Sequence, residues 1–235
     1  MTPLGFLTIV LTMLSGSFIQ RNKMLFGFSS GDLPSDEVFH AYTEHIVLDT
    51  ELAKFTDAMG DEMDAYRNHC LRVLSFAVAH LGGVKMVSSK SVDVMALALA
   101  YHDLGLWSDG ALDYLEPSAR QLEASTRDNG EDEDIFDIND IATARAIITE
   151  HHKLTDYHSH DDKGINANLV NAIRKGDWAD FTIGIIRFGL PAGFVESAYT
   201  KIPEANFHMI LTTMGGRLSP DSLINQLAIL NIFKW

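Results

Sequence analysis

The stretch Val92-Asp-Val-Met-Ala-Leu-Ala-Leu-Ala-Tyr101-His102-Asp103-Leu-Gly105 combines an apolar helical run with an ionisable pair at its end. A histidine and an aspartate in that position are costly to desolvate unless something compensates them. A divalent cation does so directly, because it offsets the carboxylate charge and binds the imidazole. The stretch therefore predicts a helix whose last turn, ended by Gly105, carries metal-binding side chains.

The rest of the chain also shows mainly the helical period. Between Tyr66 and His80, apolar and histidine side chains recur at spacings of three and four, which predicts a helix that ends at Gly82-Gly83. Strand-like alternation is nearly absent from the sequence. We therefore predict an all-α domain.

Local signals predict the bounds of three helices. Ser91 is the predicted N-cap of the helix in the opening stretch, and Asn139 or Asp140 is the predicted N-cap of the stretch 141–152. Residues 165–188 are predicted as one long helix.

Length and composition predict one globular domain over residues 35–235, preceded by a short hydrophobic extension over residues 1–34. Residues 3–19 are almost entirely apolar or small, and Arg21 and Lys23 follow them. The extension lacks the basic start of a secretory signal, so a dispensable segment, a packed helix and a targeting segment all stay open. We expect a cytoplasmic protein without a membrane partner, with targeting by this segment as the alternative.

The charge balance argues against a long nucleic acid as partner. The chain has 32 acidic and 18 basic residues, for a formal net charge of −14, and this field repels a phosphate backbone. A small anionic substrate remains compatible, because a bound metal reverses the potential inside a cleft. The single cysteine, Cys70, excludes an intrachain disulfide and suits a reducing compartment. Assembly into a homo-oligomer stays open.

Histidines and carboxylates follow one another along the chain in an order that suits a metal site on several helices. An imidazole and carboxylate site needs ligands fixed on rigid elements, with one position left for a reactant. The candidate ligands are His69, His102, Asp103 and Asp177, and a later helix ends with Glu150-His151-His152-Lys153.

The residues around the first candidates resemble a known family. The segments Tyr66-Arg-Asn-His69-Cys-Leu-Arg72-Val73 and Leu97-Ala-Leu-Ala-Tyr101-His102-Asp103-Leu-Gly105 resemble the two leading motifs of the HD-domain metal-dependent phosphohydrolase superfamily. The resemblance extends over residues 66–190. It implies a helical bundle, the HD-domain fold, in which His69, His102, Asp103 and Asp177 bind a divalent metal.

Two acids compete for the role of last ligand. The segment Arg174-Lys-Gly-Asp177-Trp-Ala-Asp180 places them three residues apart on nearly the same helix face. The resemblance favours Asp177, because a small residue precedes it as in the family. Asp180 is then expected to support the ligands from behind.

The resemblance also implies either one or two metal ions. Family members with an extra histidine pair hold two, and His151 and His152 match that pair. Asp103 would then bridge the two ions. With one ion, His151 or His152 instead donates a proton or orients the leaving group. The metal expected is Mn, Fe, Zn, Co or Mg.

The function that these expectations imply is metal-dependent hydrolysis of a small phosphorylated or nucleotide-like substrate. A metal-activated water attacks phosphorus, and Asp103 and His152 are the candidate catalytic residues. Arg72 and Lys153 are the candidate substrate-binding residues. For Arg72, a structural ion pair is an equal alternative.

Three other functions stay open. The segment Leu71-Arg-Val and the pair Ile147-Ile148 are similar to the cyanamide hydratase branch, which implies hydration of a small neutral molecule. Related helical proteins with this ligand set include di-iron oxygenases. A domain that binds a nucleotide or a metal without turnover, as a sensor, is the third alternative.

Overall fold

The protein is all helical in the computed structural model, which describes residues 37–110, 113–127, 135–159 and 164–218 and has no strand within them. The predicted extension over residues 1–34 lies outside the described residues. Among the helices that are described, none is both long and apolar enough to cross a membrane.

The described helices form a bundle around one central helix. In chain order they are α1 Ile46–Ala53, α2 Thr56–Met59, α3 Met63–His80, α4 Ser89–Tyr101, α5 Gly105–Ser108, α6 Leu115–Arg127, α7 Ile138–Glu150, α8 Ala167–Phe181, α9 Ala192–Lys201 and α10 Phe207–Leu218, with a 3-10 turn at Gly60–Glu62. Helix α3 is buried along most of its length and packs against α1, α4, α8, α9 and α10. Helix α7 packs against α4, α6 and α8.

The contact between α3 and α8 is close because a glycine lies in it. A Cβ atom on Gly176 would come within 2.7 Å of the Val73 carbonyl oxygen and 3.2 Å of the Ala77 nitrogen. Only a residue without a side chain allows the two backbones to approach in this way. The approach brings His69 on α3 and Asp177 on α8 to the same side of the interface.

Two of the predicted helix caps are wrong by three residues or less. Helix α4 is capped by Ser88, whose Oγ accepts the Ser91 backbone N–H at 3.1 Å. Helix α7 is capped by Asp137, and Asp140 reciprocates by accepting the Asp137 backbone N–H at 2.9 Å. In both cases a second capping-type residue stands within the first turn, and composition alone does not say which one accepts.

The prediction of one long helix over residues 165–188 is also wrong at both ends. Helix α8 begins after Asn166, whose side chain accepts the Asn168 and Leu169 N–H groups, and it ends at Phe181. Beyond it Ile183 has a φ of 50° and Gly184 a φ of 74°, a left-handed backbone that cannot continue the helix. The apolar residues that follow, such as Ile185 and Ile186, lie in a loop. Their spacing fits the helical period although they form no helix.

Candidate metal centre

Four helices deliver six histidine and aspartate side chains to one buried place. His69 lies in the middle of α3, and Asp177 lies on α8. The other four follow directly after the last residues of α4 and α7, so they extend from helix ends into the bundle. The six residues are His69, His102, Asp103, His151, His152 and Asp177. All but His152 are buried.

The predicted ligands His69, His102, Asp103 and Asp177 come together. His69 Nε2 lies 3.1 Å from His102 Nε2 and 3.3 Å from Asp177 Oδ1. His102 Nε2 lies 3.2 Å from Asp103 Oδ2. Two atoms that bind one ion at about 2.1 Å are separated by about 3.0–3.5 Å. His69, His102 and Asp177 are therefore close enough to bind a common ion, whereas Asp103 Oδ2 lies 3.9 Å from His69 Nε2 and groups with His102 instead.

The histidine pair after α7 faces the remaining oxygens of the two aspartates. His151 Nε2 lies 3.4 Å from Asp103 Oδ1, and His152 Nδ1 lies 4.0 Å from Asp177 Oδ2. Besides the group of His69, His102 and Asp177, two groups of ligand atoms are compact enough to hold an ion: His102 with Asp103 and His151, and His151 with His152 and Asp177. Asp103 thus presents one oxygen to each half of the cluster.

Hydrogen bonds on the far side of two imidazoles fix where their protons lie. The Nδ1–H of His69 donates to Asp180 Oδ2 at 2.7 Å, and the Nδ1–H of His102 donates to the Leu99 carbonyl at 2.8 Å. Each neutral ring then has a lone pair on Nε2. Because the two Nε2 atoms are 3.1 Å apart, their lone pairs repel unless a proton or a cation lies between them.

The same pattern recurs at His151. Its Nδ1–H donates to the Ile148 carbonyl at 2.7 Å, which leaves the Nε2 lone pair directed at Asp103 Oδ1. Both of these atoms are buried without a hydrogen-bond partner. Buried acceptors of this kind are costly, and a cation between them removes the cost. The donor set therefore fits a divalent metal.

The electrostatics of the cluster favour positive charge within it. Burial works to lower the pKa of His69, but the carboxylates of Asp177 and Asp180, which accept hydrogen bonds from the ring, outweigh it and raise that pKa. Burial works to raise the pKa of Asp103, but the neighbouring His102 and His151 hold it well below its usual range. The pKa of Asp177 is lowered in the same way, against burial, by His69. Carboxylates that stay ionised at full burial form a site that attracts cations.

Asp180 does not face the cluster but supports it from behind. One of its oxygens contacts His69 Nδ1, and its two oxygens accept hydrogen bonds from one edge of the Arg72 guanidinium, from Nε at 2.6 Å and from Nη2 at 2.9 Å. Arg72 is fully buried, and its Nη1 donates to the Ile202 and Pro203 carbonyls. The structure thus places Arg72 in the structural ion pair that the sequence left as an alternative.

Lys153, the other candidate substrate-binding residue, lies outside the cluster. Its Nζ contacts Glu150 Oε1 at 2.8 Å, and its side chain is 37% exposed. His152 has the most exposed side chain of the cluster, at 16%, and its Nε2 contacts the Tyr114 hydroxyl. Burial and the neighbouring His151 lower the pKa of His152 to about 3, so this ring is neutral at pH 7.

Sequence reasoning missed the roles of two tyrosines at the cluster. The Tyr66 hydroxyl donates to the Leu99 carbonyl at 3.0 Å, accepts the Asp103 backbone N–H at 3.1 Å, and its ring stacks on His102. Its place three residues before His69 was the available signal. Tyr114, buried beside His152, carries no such signal, because no motif includes it.

The start of α10 closes the cluster on another side. The Phe207 ring stacks on the His69 ring with centroids 4.1 Å apart and an angle of 12° between the planes. Asn68 and Arg72 on α3 both donate to the Pro203 carbonyl and so anchor the chain that leads into α10. The aromatic contact excludes water from that face of the imidazole.

Comparisons of this chain with protein-family models, with curated proteins and with solved structures found no match.

Proposed function

We propose that this protein is a metal-dependent hydrolase that acts on a small phosphoester through a metal-activated water. The observation that carries the proposal is the convergence of buried imidazole lone pairs and carboxylate oxygens at ligand spacing, with two of these atoms lacking any hydrogen-bond partner. The resemblance of the flanking motifs to the HD-domain superfamily supports the reaction class.

His69, His102, Asp103 and Asp177 would hold one ion, and His151 and His152 would hold a second one with the remaining oxygens of Asp103 and Asp177. Mixed imidazole and carboxylate donors favour Mn, Fe, Zn or Co over Mg, which prefers oxygen ligands alone. When bound, such an ion lowers the pKa of a coordinated water to about 7 and offsets the negative charge that develops on phosphoryl oxygens.

The side chains around the cluster orient the reactants and exclude water. Asp180 and the Leu99 carbonyl keep the proton of each supported imidazole on Nδ1, so Nε2 always faces the centre. Phe207 covers one face of His69. His152, neutral and partly exposed, and the Tyr114 hydroxyl beside it stand where a substrate oxygen would enter.

One observation favours the alternative of hydrating a small neutral molecule. Three cations near the proposed ligands in sequence each have a carboxylate partner: Arg72 with Asp180, Lys153 with Glu150 and Arg174 with Asp156. A phosphoryl group would therefore rely on the metal for most of its charge compensation. Cyanamide hydration needs no such cation, so it is the second candidate.

Turnover assays with two substrate classes test the proposal. The purified protein is stripped with chelator, reloaded with Mn²⁺, Fe²⁺, Zn²⁺ or Co²⁺, and assayed for phosphate release from a nucleotide and phosphoester panel and for urea formation from cyanamide. We expect phosphate release that Asp103→Ala lowers about 100-fold or more, because the variant loses the carboxylate that would supply an oxygen to each half of the cluster. Asp57→Ala, which removes an exposed carboxylate on α2, is the matched control and should keep wild-type activity.

The outcomes separate the candidate functions. Urea formation without phosphate release supports the hydratase alternative. Two bound irons with a visible absorption band would indicate the oxygenase alternative. Tight metal binding with neither product would indicate a sensor of metal ions, and a protein that binds no divalent metal contradicts this sensor and all three enzymatic candidates.

A further inference from the structure

Arg174 is a buried cation that the proposed reaction does not use. It lies on α8, one turn before Asp177, and is 1% exposed. Its carboxylate partner, Asp156, is 56% exposed, so water screens that ion pair. Burying a guanidinium against so exposed a partner contributes little net stability. Its other contacts therefore have to explain its position.

Those contacts lie on the chain directly behind the histidine pair. Arg174 Nη1 donates to the Lys153 carbonyl at 3.2 Å and to the Leu154 carbonyl at 2.9 Å. These are the first two residues after His151 and His152. The guanidinium thus binds the backbone that leaves the histidine pair, where no regular secondary structure holds it.

A second residue of α8 binds the same segment. Asn171 lies one turn before Arg174, and its side chain accepts the Tyr157 N–H at 2.8 Å and donates to the Tyr157 carbonyl at 3.0 Å. Asn171 Oδ1 also accepts from Arg174 Nε at 3.2 Å. The residues Asn171, Arg174 and Asp177 are spaced three apart, so they occupy one side of the helix. One rigid helix therefore holds both the segment 153–157 and the Asp177 carboxylate.

We propose that Arg174, supported by Asn171, is a positioning residue that fixes His151 and His152 relative to Asp177. The inference rests on the proposed function, since it assigns Arg174 to the metal-binding half that the histidine pair forms. Without the guanidinium, the Lys153 and Leu154 carbonyls lose their donors and the turn that carries both imidazoles moves away from α8. The His69 and His102 half has its own supports and is unaffected.

A double-mutant cycle in metal binding tests the proposal without using turnover. Co²⁺ titrations of the metal-free protein, followed by visible absorption, compare Arg174→Gln in the wild-type background and in the His151→Ala/His152→Ala background. We expect a loss of Co²⁺ affinity of about 10- to 100-fold in the first background, typical for a residue that supports metal ligands. In the second background we expect a loss below about 3-fold, because the residues through which Arg174 acts are already gone.

A second variant and a control keep the result interpretable. Asn171→Ala removes the side chain that binds the Tyr157 backbone and leaves the Arg174 guanidinium in place. This variant should therefore also lower Co²⁺ affinity, even if Arg174→Gln folds poorly. Arg145→Gln removes an arginine of α7 that pairs with Glu116 and Glu123, and should leave Co²⁺ binding unchanged. Far-ultraviolet circular dichroism checks that each variant is folded.

Equal losses of Co²⁺ affinity in the two backgrounds would overturn the positioning role. The same holds if neither Arg174→Gln nor Asn171→Ala lowers Co²⁺ affinity. Either result leaves the proposed function standing if phosphate is still released. A coupled loss of Co²⁺ affinity in a protein that hydrolyses neither substrate class supports the positioning role and contradicts the proposed function. A wild-type protein that binds no Co²⁺ contradicts both.

Discussion

Asp177 and Asp180 lie one turn apart on α8 and have different partners. Substitution of each acid should therefore have a different effect on the protein. Within the described residues, the ion-pair contacts of the Asp177 carboxylate are with the cluster, at 3.3 Å from His69 Nε2 and 4.0 Å from His152 Nδ1. Asp180 is the sole carboxylate contacting the fully buried Arg72 among the described residues. Removing one partner of a buried ion pair leaves the other charge uncompensated. Asparagine in place of each acid should therefore act on different properties.

We expect Asp180→Asn to lower the free energy of unfolding of the metal-free protein by about 3–5 kcal/mol, because Arg72 stays buried without its carboxylate. Asp177→Asn should cost about 1 kcal/mol or less. The order reverses for metal binding, where Asp177→Asn should lower Co²⁺ affinity about 100-fold or more and Asp180→Asn about 10-fold. Urea unfolding and Co²⁺ titration measure the two quantities. If Asp180→Asn affects Co²⁺ binding more, Asp180 is a ligand after all.

The candidate ligands could be found in the sequence because their chemistry is unusual for where they stand. His102 and Asp103 end an apolar helix, and such a pair needs compensation that surface residues do not. The role of Arg72 could not be found in this way. Its partner Asp180 lies 108 residues further along the chain, and only the packing of α3 against α8 shows that the two side chains meet.

At the scale of elements, the close contact of α3 with α8 predicts the effect of one methyl group. In a free helix, Gly→Ala stabilises by about 1 kcal/mol. At Gly176 the new Cβ would meet backbone atoms, the Val73 carbonyl oxygen at 2.7 Å and the Ala77 nitrogen at 3.2 Å, which cannot rotate away. The helices must then separate, and with them His69 and Asp177.

We therefore expect Gly176→Ala to lower the free energy of unfolding by about 1–3 kcal/mol, the usual cost of overpacking, and to weaken Co²⁺ binding. Urea unfolding of the metal-free protein and Co²⁺ titration measure both effects. Lys175→Ala, one residue away and partly exposed, should change the free energy of unfolding by about 0.5 kcal/mol or less. A higher free energy of unfolding for Gly176→Ala would contradict this expectation, because it would show that the contact between α3 and α8 can accommodate a methyl group.

Helix type was predictable from the sequence, whereas helix bounds were less so. The apolar period depends on many residues and survives local ambiguity. A cap depends on one hydrogen bond, and near α4 both Ser88 and Ser91 are capable of accepting it. The end of α8 depends on the backbone at Ile183 and Gly184, whose neighbours Ile185 and Ile186 continue the apolar pattern into a loop.

At the scale of the whole molecule, the bundle supports parts of the candidate metal centre from segments that are distant in sequence. His69 is held by Asp180 of α8 and covered by Phe207 of α10, and the turn after His151 is held by Arg174. No sequence pattern links these segments. The all-α class followed from local periodicity, but the coupling of the ligands to one another follows from packing alone.

A titrating group remote from the metal centre makes the stability of the whole molecule depend on pH. Burial, and then the charges of Lys175 and Arg174, lower the pKa of His80 from 6.5 to about 4. Between these two values the unfolded chain binds a proton at this histidine and the folded protein does not. Protonation then favours unfolding, so the free energy of unfolding falls as the pH falls from 6.5 to about 4, and the contribution at pH 7 is complete.

We expect His80→Leu to remove this part of the acid response. The buried His80 Nε2 has no hydrogen-bond partner, so leucine leaves no other group unsatisfied and the variant should be at least as stable as the wild type at pH 7. Urea unfolding at pH 7, 6, 5 and 4.5 measures the difference between the two proteins. The wild type should lose stability relative to the variant by up to about 1.4 kcal/mol per pH unit below 6.5, the limit for one proton. Parallel curves for the two proteins would mean that His80 titrates alike when folded and unfolded, and that the other ionisable groups account for the acid response.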